Sequence, residues 1–297
     1  MNNETESLVV RRKIFFTIAR DSREYLQSIV PTEGLINELR RRHVDIFSFL
    51  ERRWCCSLSK PSKSWTKSED NIGLLHLTSY DDWWKGIGKK TRNMIRKAEK
   101  MGVRTEIAKA NDKLAEGIWK IFNETPIRQG RGFPHYGISL DVVKQNLLFF
   151  PESAYIGAYF QGELVGFIHL VRGDRLTVIS QLLSLQTCWD KAVNNALMAK
   201  AIEFCACNHF EWIMYGRMGN HPTLDSFKES NGFTKFQVTR YFLPLTTKGR
   251  LVIKLGLNRE LKDSLPLSAK QSLFPIYNWV SRMRARMISR QSKKRVP

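Results

Sequence analysis

No run of apolar residues in this 297-residue chain approaches the roughly 20 that a membrane-crossing helix needs. The first thirteen residues, MNNETESLVVRRK, set acids before bases around no apolar centre, so no secretory signal is expected there. Cysteine is scarce and odd in number: Cys55, Cys56, Cys188, Cys205 and Cys207. Their irregular spacing excludes a disulfide framework. Cys205 and Cys207 sit in an apolar helical context, where small core residues are the simpler reading than metal ligands. Reduced thiols fit a cytoplasmic location. There is no Ser-His-Asp order, no Cys/His set with metal-ligand spacing, no phosphate-binding Walker loop and no repeat of 20–50 residues. A bound metal or permanent cofactor is therefore not expected.

Acidic residues are also scarce where basic ones gather. Of a net charge of +20, residues 85–104 contribute eight Lys/Arg against one acid, and residues 248–297 contribute thirteen against two. The remainder is nearly neutral. Charge confined to two segments points to a polyanionic partner, such as RNA, a phosphorylated substrate or an anionic membrane, rather than to general solubility. With 42% hydrophobic residues, the chain has material for a sizeable core, as one large domain or two small ones.

The pattern along the chain is mixed. Residues 1–10 read as disordered, 12–19 as a strand, 33–42 as a short helix and 44–58 as a strand. Residues 59–70 read as a polar loop and 72–77 as a second strand. A helix is expected over 81–101, capped by Ser79 or Asp81 and ended by Gly102. Its apolar stripe would be Trp84, Ile87, Thr91, Met94, Ala98 and Met101. A strand follows at 103–107, then helices at 111–123 and 140–149 separated by a Gly/Pro-rich loop at 124–139. Strands at 154–160, 163–171 and 175–185, joined by Gln161-Gly162 and Arg172-Gly173-Asp174 turns, form an antiparallel meander. Next come a helix at about 191–208, a strand at 210–215, a helix at 222–230 and a strand at 233–242. Beyond Pro244 the chain reads as helical and basic. Leu273, Ile276, Val280, Met283 and Met287 make one stripe there, followed by a Lys293-Lys294-Arg295 tail.

The element order from Asn111 onward resembles that of the GNAT acyltransferases. Thr91-Arg92-Asn93-Met94-Ile95-Arg96-Lys97-Ala98-Glu99-Lys100-Met101-Gly102-Val103 resembles the R-x-x-I-R-K-A-x-K-x-G-V helix of FemABX-type proteins. Ala201-Ile202-Glu203, then Tyr215-Gly216, Phe227-Lys228 and Gly232-Phe233, resembles the closing pattern of the same group. The resemblance covers about residues 44–242. It implies an α/β (α+β) fold with a GNAT-like mixed, largely antiparallel twisted sheet flanked by helices. It also implies an abbreviated N-terminal half at 11–108, an acyltransferase domain at 109–245 and a basic helical extension at 246–297.

The implied activity is amide formation, by attack of an acceptor amine on an acyl or aminoacyl group. The co-substrate would be acetyl- or acyl-CoA or an aminoacyl-tRNA. The acetyl-CoA version of the fold carries a glycine-rich loop after the third meander strand, whose N–H groups hold a pyrophosphate. Residues 184–195, SLQTCWDKAVNN, contain no glycine. That departure favours a donor other than ordinary acetyl-CoA.

Lys228 matches the lysine of the F-K motif, and the resemblance implies that it polarises the acyl carbonyl. Tyr215 and Arg217, at a strand end, are expected in the same cleft, although Tyr215 reads equally as core and Arg217 as the partner of a carboxylate. Arg92, Arg96, Lys97 and Lys100 on the basic helix, with Arg128, Arg131, His135 and Tyr136 in the 124–139 loop, are the candidates for an anionic substrate. The alternatives are a solvated helix face and an ordinary surface loop. His169 reads as a packed strand histidine, and His221 and Asp225 as further candidate bases. The basic helix at 273–290 suits packing, an RNA surface or peripheral contact with the inner face of a membrane. A basic binding protein without catalysis is the reading from another class.

Overall fold

A computed structural model describes residues 8–13, 15–26, 31–51, 65–128, 131–148, 152–219 and 221–258. The expected basic helix at 273–290 and the tail behind it lie outside these residues, as do residues 1–7. The last three residues of the segment read as disordered, 8–10, belong to a strand instead: β1 (Leu8–Arg12) pairs antiparallel with β2 (Thr17–Asp21), dividing the single strand expected over 12–19. Helix α1 (Glu33–Arg41) starts where the Thr32 hydroxyl accepts from the Leu35 N–H, and it carries acid first and base last, as the helix dipole favours. Strand β3 (Ile46–Glu51) is buried throughout. Strand β4 (Thr66–His76) begins inside the expected polar loop. Its polar first half is ordered by pairing with a distant strand, a tertiary effect that overrides local propensity.

The helix expected over 81–101 is two helices. The first, α2 (Tyr80–Gly86), is capped by Ser79, whose hydroxyl accepts from the Asp82 N–H. Ile87 then turns extended at ψ 150°, and Gly88 caps α3 (Lys89–Lys100). Arg92 folds back so that Nη1 donates to the carbonyls of Trp84, Lys85 and Ile87, satisfying the exposed end of α2. The break re-phases the stripe. Trp83, Ile87, Thr91 and Ala98 are buried, while Trp84 is half-buried and Met101 is 40% exposed. Gly102 takes φ +84° past the end of α3, as expected of a glycine there.

Strand β5 (Arg104–Ala108) leads to α4 (Asp112–Asn123), capped by Asn111. The following loop contains a two-rung hairpin, β6 (Ile127–Arg128) with β7 (Arg131–Gly132). Helix α5 (Leu140–Leu147) is capped by Ser139. The meander then forms as β8 (Ser153–Phe160), β9 (Glu163–Arg172) and β10 (Leu176–Ser184), antiparallel throughout. The expected helix at 191–208 is preceded by a 3-10 helix (Gln186–Lys191) and runs as α6 (Val193–Cys207). Strand β11 (Trp212–Met214), α7 (Pro222–Ser230), β12 (Thr234–Pro244) and α8 (Thr247–Lys254) complete the described chain.

These elements form two compact units. Of the described residues, one holds those up to Leu74, those within 217–221 and those at 234–258; the other holds those within 75–216 and 222–233. The basic α3 and β5, expected in a first half ending at 108, therefore lie in the second unit. In the first unit the strand order is β1-β2-β3-β12-β4, parallel only between β2 and β3. Alternation divides its core. Phe47, Phe49 and Tyr241 pack with Leu35 and Leu39 of α1, whereas Ile46 and Phe242 pack with Val252 of α8.

In the second unit the order is β11-β10-β9-β8-β5, parallel only between β10 and β11. Ile156, Ile168, Leu170 and Ile179 face α6, which buries Leu197, Met198, Ile202 and Cys205. Tyr155 and Phe167 face the other way, toward Ile118 and Phe122 of α4 and Val143 and Leu147 of α5. Both units are mixed α/β with mostly antiparallel sheets.

Candidate functional site

The parallel pairing of β10 with β11 lasts only from Leu176↔Trp212 to Val178↔Met214. Strand β10 runs on to Ser184, with an irregularity between Ile179 and Gln181, while the other chain leaves β11 at Tyr215 and turns at Gly216, where φ is +55°. An opening at the end of a parallel pair is where α/β units hold ligands. Lys228 reaches the chain at this point. It is only 2% exposed, and its ammonium lies 4.8 Å from the centre of the Tyr215 ring, a cation–π arrangement. Burial lowers the Lys228 pKa from its ordinary value and Asp225 opposes that shift. Burial likewise raises the Tyr215 phenol. The Tyr215 ring in turn meets Phe233 edge-on at 5.9 Å.

The placement of Lys228 depends on how α7 ends. The Asn231 and Phe233 N–H groups both return to the Lys228 carbonyl, and Gly232 takes φ +86°. Two side chains from α2 and α3 fasten the same end: Trp83 Nε1 donates to the Asn231 carbonyl at 2.9 Å, and the Thr91 hydroxyl donates to the Ser230 carbonyl at 3.1 Å. The inward face of the basic helix region thus positions the helix that carries Lys228.

Arg217 has the other role open to it in the sequence. It belongs to the first unit, where Nη2 donates to Asp70 Oδ2 at 2.6 Å. The same oxygen accepts from Arg240 Nε at 2.9 Å, and Arg240 forks onto Glu24 through both Nη groups. Arg217 is a member of a largely buried charge network of the first unit.

The basic candidates separate in the same way. Arg92 caps α2. Arg96 lies over Trp84 at 5.5 Å and reaches Asn93. Lys97 and Lys100 are exposed on α3, with Lys89 and Lys90. Arg128 is withdrawn from solvent: Nη1 donates to the Ser184 carbonyl at 2.8 Å, Nη2 to the Ile121 carbonyl at 2.6 Å and to Glu124 at 3.2 Å, and the guanidinium lies over Phe133. Burial lowers its pKa, with Glu124 opposing. It pins the loop to the end of β10. Arg131 lies in β7, and Tyr136 is half-buried in the turn that follows. His135 stacks on Phe122 at 4.6 Å and lines a cavity of about 170 Å³ with His169 and Gln181.

Glu124 was not singled out in the sequence. Its carboxylate accepts from the Gln186 N–H at 2.8 Å, the Thr187 N–H at 3.2 Å and the Thr187 hydroxyl at 3.3 Å, besides Arg128. These are the first backbone donors after β10 and Leu185, where the acetyl-CoA version of the fold has its pyrophosphate loop. The only sequence trace of this role is the spacing of Glu124 and Arg128, four residues apart. Among the described residues no three His, Cys, Asp or Glu side chains gather as metal ligands, and no helix is long and apolar enough to cross a membrane.

No family model matches the chain, and no curated protein matches it. Solved structures do. FemX is similar with a TM-score of 0.55 at 9% identity, over 84% of this chain and 85% of that one. The L-PGS of Bacillus licheniformis is similar with a TM-score of 0.55 at 11% identity, over 84% of each chain. A C-terminal DUF2156 domain assigned to a lysylphosphatidylglycerol synthetase of Agrobacterium fabrum is similar with a TM-score of 0.54 at 11% identity, over 86% of this chain and 87% of that one. At such identities the likeness is one of fold: the chain shares its fold with FemX and with these synthetase structures.

Proposed function

We propose that the chain is an acyl- or aminoacyltransferase that forms an amide by direct transfer, with Lys228 at its centre. The observation that carries this reading is the buried Lys228 ammonium, held over Tyr215 where β10 and β11 part. In the reaction an acceptor amine nitrogen bonds to the acyl carbon, the carbon–oxygen or carbon–sulfur bond to the leaving group breaks, and the amine gives up a proton. Negative charge collects on the carbonyl oxygen as the new bond forms. A lysine that water cannot screen, and whose pKa burial lowers, is a strong donor to that oxygen.

For the donor, we propose an aminoacyl ester such as an aminoacyl-tRNA in preference to acyl-CoA. Two observations support this. Glu124 already takes the Gln186 and Thr187 N–H groups, so a pyrophosphate there would meet a carboxylate. The exposed Lys89, Lys90, Lys97 and Lys100 suit a ribose-phosphate backbone. Full-length protein should bind tRNA in a salt-sensitive manner and show no thermal stabilisation by saturating acetyl-CoA. A shift of several degrees with acetyl-CoA and no binding of tRNA would overturn the donor assignment. Lys228→Met should lower transfer at least about a hundredfold, and unchanged turnover would remove Lys228 from the mechanism.

A further inference from the structure

The cavity beside His135 lies on the face of the second unit opposite α6, under α4 and α5. Two aromatic stacks wall it: His135 on Phe122 with rings 4.6 Å apart and 16° from parallel, and His169 on Tyr155 at 4.4 Å and 4°. Ile118, Val143 and Leu147 supply an apolar floor. Among the described residues, no lysine, arginine, aspartate or glutamate lines it. Its polar groups are the imidazoles, the Gln181 amide and the Tyr155 phenol, with Asn146 and Ser180 at the rim; His169 Nε2 pairs with the Ser153 hydroxyl at 2.8 Å, whereas the Gln181 contact to His135 is long, at 3.4 Å. A bond of that length gives up little when a better-placed partner arrives.

Both imidazoles are neutral near neutral pH. Burial lowers the His169 pKa to about 4, and burial followed by Arg128 lowers that of His135. A charged ligand would lose its hydration here and meet no charged side chain among the described lining residues, Arg128 acting only from behind His135. The volume of about 170 Å³ is close to the roughly 150 Å³ that accommodates a benzene ring, and below the range of about 300–1,000 Å³ for larger ligands. Flat aromatic walls favour a flat guest.

We propose that this cavity is a binding site for an uncharged, single-ring aromatic or heteroaromatic group carrying a hydrogen-bonding substituent. The proposal does not depend on the transferase reading. A free small molecule and a ring borne by a larger substrate share this chemistry. Asn146 and Ser180 are exposed residues at the rim, so bulky replacements there close the entrance without entering the core.

The test uses full-length protein and ligand-observed NMR with phenol and benzamide, set beside their charged counterparts benzoate and benzylammonium. The neutral probes should bind in the millimolar range or tighter and the charged ones at least tenfold more weakly. Asn146→Trp and Ser180→Trp should each remove the neutral-probe signal while the thermal transition stays in place. A peptide amide bearing a phenol ring that binds more tightly than phenol would identify a substrate-borne ring, and equal affinity a free ligand; either supports the site. Absence of neutral-probe binding at ten millimolar, equal affinity for the charged probes, or full binding in both rim variants would overturn it.

Discussion

Lys228 is the residue on which the proposed chemistry turns, and its burial has a thermodynamic consequence independent of any substrate. The folded state lowers its pKa, through desolvation first, so between that lowered value and the ordinary 10.5 the unfolded chain binds more protons than the folded one. Stability then rises with pH across this window, and the penalty for the buried charge is fully present below it. Lys228→Met keeps the long stem, still able to lie against Tyr215, and removes the charge. In urea titrations at pH 7 and pH 10, the variant should gain relative to wild type at pH 7, and the gain should shrink at pH 10. A gap independent of pH would mean that the ammonium is well solvated in the fold. The F-K motif made this lysine visible in the sequence. That Tyr215 would be its neighbour followed from a strand ending there. That Arg217 would turn to Asp70 could not be read locally, because its partner stands 147 positions away in the chain.

At the scale of elements, side chains expected to meet a substrate are spent on chain ends. Arg92 closes α2 so that α3 can start afresh, and the residue pattern disguised this because Trp84, Ile87 and Thr91 keep helical spacing across the break. The start of the 3-10 helix and the loop after α4 are joined through Glu124 and Arg128. Arg128 bridges the Ile121 and Ser184 carbonyls, a contact between a helix end and a strand end that no periodicity reveals. Arg128→Met should therefore destabilise the protein by about 3–5 kcal/mol, leaving two carbonyls and a carboxylate short of a partner. Arg128→Lys should recover only part of this, since an ammonium lacks the planar fork that serves three acceptors. Equilibrium unfolding in urea measures both. If Arg128→Met altered substrate affinity and left stability unchanged, the residue would belong to the binding surface after all.

At the scale of the whole molecule, the meander and the helices on either side of it were legible because each element is amphipathic or bounded by a turn, as at Gln161-Gly162, where both residues take positive φ. The first unit was less legible. Its polar residues 66–71 become a strand only through β12, which arrives more than 160 residues later and pairs Thr66 with Phe242. The charge, by contrast, is read directly from composition, and the fold separates two uses of it. Arg92 and Arg128 are consumed internally, whereas Lys89, Lys90, Lys97 and Lys100 are exposed on α3. A polyanion held there displaces counterions, so its affinity should fall linearly with salt on logarithmic axes, and each lost phosphate contact should reduce the slope by about one unit. In full-length protein, paired changes of Lys97→Glu with Lys100→Glu, and of Lys89→Glu with Lys90→Glu, should weaken tRNA binding and flatten its salt dependence by up to about two units per pair. Arg92→Gln should instead act through stability, because its guanidinium serves α2. A salt slope unchanged by either lysine pair would move the polyanion off this helix.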